Sequence, residues 1–499
     1  MSETPVAVID IGSNSARIVV YRLEGGAQTQ ILAASRRSLR LVRELDKNNR
    51  LSAQALERTW AALEDFRAIA LGAGASRIVA LATSAVRDAD NGKAFLAEVR
   101  KKLGFDVRML SGEEEARLGF LGAVGGLPVE HGALFDVGGG SMQVTRFRQR
   151  RIMTTFSVPL GSLRLSDAFL KSDPPTGGEV RRLCDHVQEV LEKAGVSPLE
   201  AGETLVGTGG TVRNLAKIER RTRQYPVTRL HGYVLTRKRL RAVVEEIAAT
   251  KLKKRDEIPG LNDDRGDSIV GGGFAIRTLV DVLGAEEIWV SGQGVREGLA
   301  RGLVSEELPA PAVVRASSLR ALARRFGSWH EERAQRRATF ADALLAALHL
   351  QADQELREAL LHAATVLDVG VSVDFFDRHQ HVADILVATD LIGFTHRQVA
   401  LVSAIARGAG DEDSEAKSYA PLLSAEDAAP VGRAATLLAL ADDIEERCPP
   451  GSDLTLTCDV LKDEVVVTVP ALAGWRPRTI GRRFERAFGR KLTVKSGAK

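Results

Sequence analysis

The spacing of hydrophobic residues divides the chain into two kinds of region. Up to about residue 300, short apolar runs typical of strands alternate with amphipathic segments typical of helices. After about residue 310 the helical spacing dominates, until two strand-like runs at 454–458 and 464–469. Because alternation of strands and helices is typical of α/β domains, we expect an α/β front part, then an all-α part and a small α+β end.

Polar residues mark the helix boundaries in the front part. Ser52 and Asn91 stand just before amphipathic segments, where a side-chain oxygen can accept a hydrogen bond from a first-turn N–H. Gly104 follows the second segment and suits the left-handed end of a helix. We therefore expect helices after residues 52 and 91, with a strand at 78–83 between them.

One motif occurs twice in the front part. VIDIGSNSARIVVY around Asp10 and LFDVGGGSMQVTRF around Asp136 each contain a strand that ends in Asp, a turn of small residues and a returning strand. Two further glycine-rich turns, GTGGT at 207–211 and SGQG at 291–294, also follow predicted strands. The pattern predicts a structural repeat with four glycine-rich turns.

These turns have the composition of phosphate-binding loops. Glycine lets backbone N–H groups approach an anion closely, and consecutive N–H groups form a cradle for phosphate oxygens. An Asp beside bound phosphates can hold Mg²⁺, so Asp136 is a predicted metal ligand. The alternatives are that the glycines only permit tight turns and that each Asp only caps its turn.

Three consecutive acids, Glu113, Glu114 and Glu115, begin a predicted helix after Ser111. Ser111 and Glu114 fit a capping box, and the helix dipole favours acids in a first turn. A carboxylate at this place could equally orient and deprotonate a water molecule that attacks a phosphoanhydride. The residues alone leave both interpretations open.

Composition limits the function classes. The 499 residues are 44% hydrophobic, which indicates two to four folded domains, and the net charge of +4 requires local basic patches for any polyanion partner. The three cysteines show no metal or disulfide spacing. With neither a leader nor an apolar span, we expect a cytoplasmic protein without membrane contact.

The motifs together resemble a known family. The two Asp-headed turns and GTGGT look like the phosphate and adenosine-type loops of the superfamily of acetate kinases, sugar kinases and actin. Within it, IDIGSNS, TSAVR at 83–87, SGEEEAR at 111–117, DVGGGS, GTGGT and SGQGVREGLARG resemble, in this order over residues 5–305, the exopolyphosphatase and guanosine pentaphosphate phosphohydrolase (Ppx/GppA) family.

The resemblance implies a fold and an activity. The fold is two actin-like (ribonuclease H-like) domains at 1–125 and 126–305, a helical HD-like domain at 306–445 and a small basic domain at 446–499. The activity is Mg²⁺-dependent hydrolysis of the terminal phosphate of inorganic polyphosphate or of the 5′-phosphate of guanosine pentaphosphate. We expect the enzyme to be an exopolyphosphatase and a homodimer.

The resemblance also assigns residues. Glu115, directly before the small residue and Arg117, is the implied general base, with Glu114 as the alternative, and Arg87 is the cation that neutralises phosphate charge. The implied phosphate-binding residues are Gly12, Ser13, Asn14, Ser15, Gly138, Gly139, Gly140, Ser141 and Gly209. Gln143, two residues after the DVGGGS turn, stands where the family commonly has Glu and is the second candidate metal ligand, although an amide binds a hard cation more weakly.

In the helical part, Leu367 and Asp368 stand where the family's HD-type pattern has His-Glu. Without the first His, a second hydrolase centre is not expected, and His379 and His381 are interpreted as surface or channel residues. This half is expected to hold substrate and to form the dimer contact.

Three segments are rich in basic residues, and charge runs are most often solvated faces. They are Arg36, Arg37, Arg40 and Arg43; Lys251, Lys253, Lys254 and Arg255; and residues 476–499, which hold nine Lys or Arg side chains and one acid, Glu485. Counterion release could draw polyphosphate along such tracks. Nucleic acid is not expected, because aromatic residues for base stacking are scarce.

Other function classes remain open at this point. A non-catalytic polyanion or nucleotide sensor could use the same loops without the base. A kinase would use them too, but it needs a second substrate hydroxyl and a cleft that excludes water. Only the resemblance of SGEEEAR and TSAVR favours a hydrolase over a kinase.

Overall fold

The computed structural model describes residues 4–23, 29–45, 48–348, 354–410, 416–452, 454–472 and 475–496. The chain forms two compact units, one of residues 1–224 and 230–314 and one of residues 225–229 and 315–499. Residues 1–3, at the predicted leaderless start, and Lys499 of the basic end lie outside the described residues. No helix in the described ranges is both long and apolar enough to cross a membrane.

The first lobe of the first unit is built on a five-stranded sheet of order β3-β2-β1-β4-β5. Its strands are β1 (Val6–Ile11), β2 (Ser15–Leu23), β3 (Thr29–Ser38), β4 (Arg77–Ala82) and β5 (Val107–Met109). β1 is the central strand of this sheet. It is buried on both faces, since Ile9 and Ile11 pack on one face and Val8 packs on the other. Burial on both faces explains why β1 is a continuous apolar run.

Four helices belong to this lobe, namely α1 (Ala53–Gly72), α2 (Ser84–Arg87), α3 (Gly92–Leu103) and α4 (Gly112–Ala123). Ser52 accepts a hydrogen bond from the Ala55 amide, so the predicted cap is confirmed. The predicted cap at Asn91 is wrong, because its side chain bonds the amide and the carbonyl of Leu51 at 2.9 Å each. Gly104 ends α3 with φ of 77°, as predicted.

The second lobe repeats the arrangement in a six-stranded sheet of order β10-β11-β9-β6-β7-β8. Its strands are β6 (Gly132–Val137), β7 (Met142–Arg148), β8 (Arg151–Val158), β9 (Thr204–Thr208), β10 (Tyr233–Thr236) and β11 (Glu287–Val290). Asp10 pairs with Arg17 across the first turn, and Asp136 pairs with Gln143 across the second. The predicted repeat is confirmed.

Six helices complete the first unit, namely α5 (Ser162–Phe169), α6 (Gly177–Lys193), α7 (Gly210–Arg221), α8 (Arg237–Ala249), α9 (Ile269–Leu283) and α10 (Val295–Gly302). The last of them returns to the first lobe, because Leu299 and Ala300 share a buried cluster with Val8 and with Leu118 of α4. The two lobes are therefore joined by a common apolar layer beneath the turns.

The second unit contains the helices and the small sheet. The helices are α11 (Pro311–Ala323), α12 (Glu331–Ala347), α13 (Gln354–Val366), α14 (Arg378–Ala388), α15 (His396–Gly410), α16 (Ala428–Arg447) and α17 (Arg478–Phe488). The sheet is β12 (Thr457–Val460), β13 (Glu464–Val469) and β14 (Lys491–Ser496), one strand more than predicted. Val467 and Phe484 share a core with Leu360 and Leu437 of the helices.

Buried arginines hold the centre of this unit. The fully buried Arg337 of α12 donates to both carboxylate oxygens of Asp368 at 3.0 and 2.9 Å and to Asp442 at 2.6 Å. Arg378 pairs with the same two aspartates. His379 is half-buried against Gly410, and burial followed by the charge of Arg378 lowers its pKa to about 4. Guanidinium groups thus neutralise the carboxylates at the centre of this unit.

Replacing Arg337 by Ala should destabilise the second unit by about 3–5 kcal/mol, because it breaks buried ion pairs and leaves Asp368 and Asp442 to share the charge of Arg378. The matched control is Arg333→Ala, since Arg333 of the same helix pairs with the buried Glu445 at 2.8 Å but is itself 38% exposed, and this variant should lose at most about 1 kcal/mol. Urea unfolding at pH 7 and pH 5 measures both. The loss of unfolding free energy in Arg337→Ala should be smaller at pH 5 than at pH 7, because protonation of the aspartates reduces their need for a counter-charge. Equal urea midpoints for the two variants would contradict this role of Arg337.

Candidate active site

A cavity of about 130 Å³ opens between the two lobes, where the glycine-rich turns converge. Its lining includes Asp10, Gly12, Ser13, Asn14, Ser15, Arg17, Ser84, Glu115, Asp136, Gly138, Gly139, Ser141, Thr208, Gly209, Gly210, Arg213, Arg265, Arg296 and Glu297. Most residues predicted from the sequence meet here. Arg87, Gly140 and Gln143 do not line this cavity and lie immediately behind it.

The two Asp-headed turns face each other at van der Waals distance. A Cβ atom placed on Gly139 would lie 3.4 Å from the Ser13 Cβ and 3.6 Å from the Asn14 Cβ. Each turn is closed by the same hydrogen bond, from the Gly12 amide to the Ser15 carbonyl at 3.1 Å and from the Gly138 amide to the Ser141 carbonyl at 3.0 Å. One small anion could therefore contact both turns.

The turn after β9 fixes Asp136. Gly209 has φ of 89°, and a Cβ there would lie 2.0 Å from the Asp136 Oδ1 atom, so the turn requires glycine both for its backbone and for its contact. α7 begins at Gly210, and its first N–H groups point an electropositive helix end toward the cavity. Asn14 adds an amide group that is buried and has no hydrogen-bond partner among the described residues.

The three acids of the triplet have different surroundings. Glu114 forms the capping box, accepting from the Ser111 amide at 2.8 Å while its own amide donates to the Ser111 hydroxyl at 3.1 Å. The bond from the Ser111 amide lowers the pKa of Glu114. Glu115 instead lines the cavity, and its Oε2 atom is buried without a hydrogen-bond partner in the described chain. Only Glu115 faces the turns.

Burial raises the pKa of Glu115 to about 8, with further contributions from the charges of Asp136 and Asp10. Arg87 opposes this shift, since its Nη1 atom lies 3.7 Å from the Glu115 Oε2 atom and donates to the Leu110 carbonyl at 2.8 Å. Arg87 is thus a neighbour of Glu115 and is not part of the cavity wall. Burial and the neighbouring carboxylates thus favour the protonated form of Glu115, whereas a cation beside it would favour the ionised form.

Gln143 lies behind the second turn. Its Nε2 atom donates to the Ser141 hydroxyl at 2.8 Å, and with Glu115, Asp136 and Thr208 it lines a void of about 10 Å³. A void of this size is near the lower limit for one water molecule. The amide therefore supports the turn at 138–141 through Ser141 and shares a small void with Glu115 and Asp136.

The sequence interpretation missed four arginines that line the cavity, namely Arg17, Arg213, Arg265 and Arg296. Burial lowers the pKa of Arg17 to about 9, and the nearby Arg296 and Arg213 lower it further. The repeat contained a signal for Arg17, because it pairs with Asp10 as Gln143 pairs with Asp136. Crowded guanidinium groups of this kind would be relieved by a bound polyanion.

The acids in the cleft suit a divalent cation. Burial raises the pKa of Asp10 and of Asp136, and the charge of Asp10 raises that of Asp136 further. The described residues contain no group of three or more His, Cys, Asp or Glu that could hold a metal ion by itself. A cation bound by one or two carboxylates, with water and phosphate oxygens as its other ligands, fits these residues and is typical of Mg²⁺.

Comparison with known proteins identifies the family. A model of the Ppx/GppA phosphatase family matches residues 19–307, more than half of the chain. The chain belongs to the Ppx/GppA phosphatase family. A second model, for domain III of Ppx/GppA phosphatases, matches residues 314–466. The predicted family is confirmed, and the chain is a hydrolase of phosphoanhydride bonds, as the motifs predicted.

Individual relatives match about two thirds of this Ppx/GppA protein. Exopolyphosphatase 1 of Mycobacterium tuberculosis is 29% identical over 332 residues, which are 66% of this chain and 96% of the relative. Exopolyphosphatase 1 of Mycobacterium leprae is 29% identical over 316 residues, 62% and 93% of the two chains. A crystal structure of the Ppx/GppA family member of Aquifex aeolicus has a TM-score of 0.54 at 29% identity, covering 60% of this chain and 97% of that one.

Replacing Glu115 by Gln should stabilise the ligand-free protein in alkaline buffer. Because the pKa of Glu115 rises from 4.5 to about 8 on folding, the unfolded chain loses this proton first, and stability falls as pH rises between these values. Glutamine has no such proton, so the thermal midpoint of the variant should exceed that of the wild type by roughly 2–4 °C at pH 8.5. At pH 4.5 the two midpoints should coincide, and a pH-independent difference would contradict the burial of this acid.

Proposed function

We propose that this Ppx/GppA protein is a Mg²⁺-dependent exopolyphosphatase that releases orthophosphate from the end of inorganic polyphosphate. The observation that carries the proposal is the convergence of both Asp-headed turns and Glu115 on one cavity of about 130 Å³. A cavity of this size suits a terminal phosphoryl group and leaves the rest of the chain outside. Arginines around it would neutralise the phosphate oxygens.

In this proposal the turns bind and Glu115 moves a proton. Backbone N–H groups of the turns at 12–15 and 138–141 hold oxygens of the terminal phosphoryl group, together with Asn14 and Ser141. Glu115 accepts a proton from a water whose oxygen bonds to the terminal phosphorus as the bridging P–O bond breaks. The products are orthophosphate and a chain shorter by one unit. Arg17, Arg213 and Arg296 stabilise the charge on the transferred and departing oxygens.

Asp136, with Asp10 close by, would hold a divalent cation at the edge of the turns. When bound, the cation supplies positive charge that offsets phosphate charge and lowers the pKa of the neighbouring carboxyls. Glu115 could then lose its proton near neutral pH, which a general base requires. Arg87 acts beside Glu115 and favours the same ionised form.

Two observations favour polyphosphate over guanosine pentaphosphate. The relatives from Mycobacterium tuberculosis and Mycobacterium leprae are named exopolyphosphatases. No aromatic side chain of the described residues lines the cavity, so nothing there would stack on a purine. Guanosine pentaphosphate stays the competing substrate, since its 5′ end presents the same phosphoryl group. A non-catalytic sensor would bind either molecule without releasing phosphate.

The second unit has a supporting role in the proposal. Exposed arginines of α17, such as Arg478 and Arg482, offer cations to the polymer. We also propose the domain boundaries predicted from the sequence, a homodimeric state and a cytoplasmic location.

Glu115→Gln should lower the rate of phosphate release from polyphosphate by roughly 10²–10⁴-fold, because the amide cannot accept the proton. Glu114→Gln is the matched control, since it changes the neighbouring acid in the same way. This control should lose about 1 kcal/mol of stability or less through its cap and keep most of the activity. Equal activity of both variants would exclude Glu115 as the base.

Phosphate release from long polyphosphate and from guanosine pentaphosphate should be measured side by side, with Mg²⁺ and with a chelator. We expect kcat/KM for polyphosphate to be the larger, and both activities to disappear with the chelator and return with added Mg²⁺. A preference for guanosine pentaphosphate would reverse the substrate assignment. Binding of both without phosphate release would favour the sensor.

A further inference from the structure

A short chain of contacts joins the two phosphate turns across the cleft, beginning on the first lobe. Segment 39–43, which follows β3, holds the turn at 12–15 by its backbone. The amides of Leu39 and Arg40 both donate to the Asn14 carbonyl at 2.9 Å, and the Val42 amide donates to the Ser13 carbonyl at 3.4 Å. The first turn therefore moves with this segment.

On the second lobe, α5 holds the turn at 138–141 in a similar way. The Ser162 amide donates to the Gly138 carbonyl at 2.9 Å, and the Leu163 amide donates to the Gly139 carbonyl at 3.1 Å. The Arg164 Nε atom donates to the Gly140 carbonyl at 3.1 Å. The phosphate turn at 138–141 is thus fixed to the N-terminal end of α5.

Arg43 connects the two supports. Its Nε and Nη2 atoms donate to the two carboxylate oxygens of Asp167 on α5, at 2.9 and 2.7 Å. This bidentate geometry fixes orientation as well as distance. The Arg43 Nη1 atom also donates to Asp267, which accepts from the Arg40 Nη1 atom at 2.6 Å, and Arg36 pairs with Asp264.

These pairs change the interpretation of the basic run at 36–43, which the sequence left as a solvated face or a polyphosphate track. Three of its four arginines are paired with aspartates of the opposite lobe. The Arg43 side chain is 28% exposed, that of Asp267 is 18% exposed and that of Asp167 is 47% exposed. A bidentate pair that belongs to a network of charges holds its geometry better than a single surface pair.

We propose that Arg43 and Asp167 are positioning residues that set the spacing between the two phosphate turns. The inference rests on the proposed function, in which both turns grip one phosphoryl group. Two turns on separate lobes can do so only when their separation is fixed, and a displacement of about 1 Å can lower a rate by roughly a hundredfold. Neither residue lines the cavity. They act through the backbone of the turns.

The experiment compares Arg43→Ala, Asp167→Asn and the double variant, with Asp167→Glu as the conservative change. Arg148→Ala is the matched control, because it breaks an exposed Arg–Glu pair of 2.7 Å to Glu200 within the second lobe. Steady-state kinetics with polyphosphate give kcat and KM, and thermal midpoints report folding. Hydrogen exchange of the substrate-free protein, read by mass spectrometry over 36–44 and 138–166, reports the turns independently of activity.

We expect each single variant to lower kcat/KM for polyphosphate by roughly tenfold or more, and the double variant to be no worse than Arg43→Ala, because the Arg43–Asp167 pair is already lost in Arg43→Ala, together with the bond to Asp267. Asp167→Glu should recover part of the loss. Exchange should rise at both segments in either single variant, although each variant changes only one lobe. Arg148→Ala should match the wild type in all readouts.

Losses that add in the double variant, or exchange that rises only in the mutated lobe, would overturn the tie between the turns. Unchanged kinetics and exchange would overturn it as well. If the wild type releases no phosphate from polyphosphate, the proposed function is wrong. The positioning role of Arg43 and Asp167 is then tested by hydrogen exchange alone. Coupled loss of protection at both turns would still support the positioning role, and an unchanged pattern would refute it.

Discussion

Like charges buried side by side in one cleft are the constraint on which the rest of the first unit depends. Burial raises the pKa of Asp10, Asp136 and Glu115, and the charge of Asp10 raises the pKa of the other two further. Burial likewise lowers the pKa of Arg17 and of Arg213, and the charge of Arg213 lowers that of Arg17 further. Such an arrangement is unfavourable in the absence of ligand. The apolar layer that α4 and α10 share with both sheets supplies the stability that holds these groups together.

The same charges explain the chemistry that the cleft suits. The arginines and the acids line the same cavity, so a phosphate with a divalent cation would satisfy both groups at once. The turns add neutral N–H donors that do not increase the repulsion. A metal ion would thus reduce the repulsion among the acids, and a phosphate would reduce the repulsion among the arginines. A neutral ligand would reduce neither.

Local patterns in the sequence predicted much of this arrangement. They did not predict the contacts between residues that are far apart in the sequence. The strands, the repeat around Asp10 and Asp136, and the cap at Ser52 follow from spacing within a few residues. Asn91 failed as a cap because a loop distant in sequence offered its backbone. β14 was missed because its valine and leucine are set among lysines, and its partner strand decides its structure.

Site residues divide in the same way. The capping role of Glu114 was visible in S-x-x-E, but which acid faces the cleft depends on how α4 is rotated against the second lobe. Arg213 and Arg296 follow glycine turns, yet nothing local says that both meet Arg17. The basic run at 36–43 looked solvent-exposed, because the aspartates that neutralise it lie more than 100 residues away.

The buried arginine in the helical unit has a further consequence. Where Asp368 and Asp442 could have shared an ion from solution, they share the side chain of Arg337, which no chelator removes and no competing ion replaces. The charges at the centre of the second unit are therefore balanced by its own side chains and need no bound ion. In the proposed function, the cleft of the first unit regains its charge balance each time a metal ion and a phosphate bind, so a low concentration of divalent cations would lower its activity and leave the second unit folded.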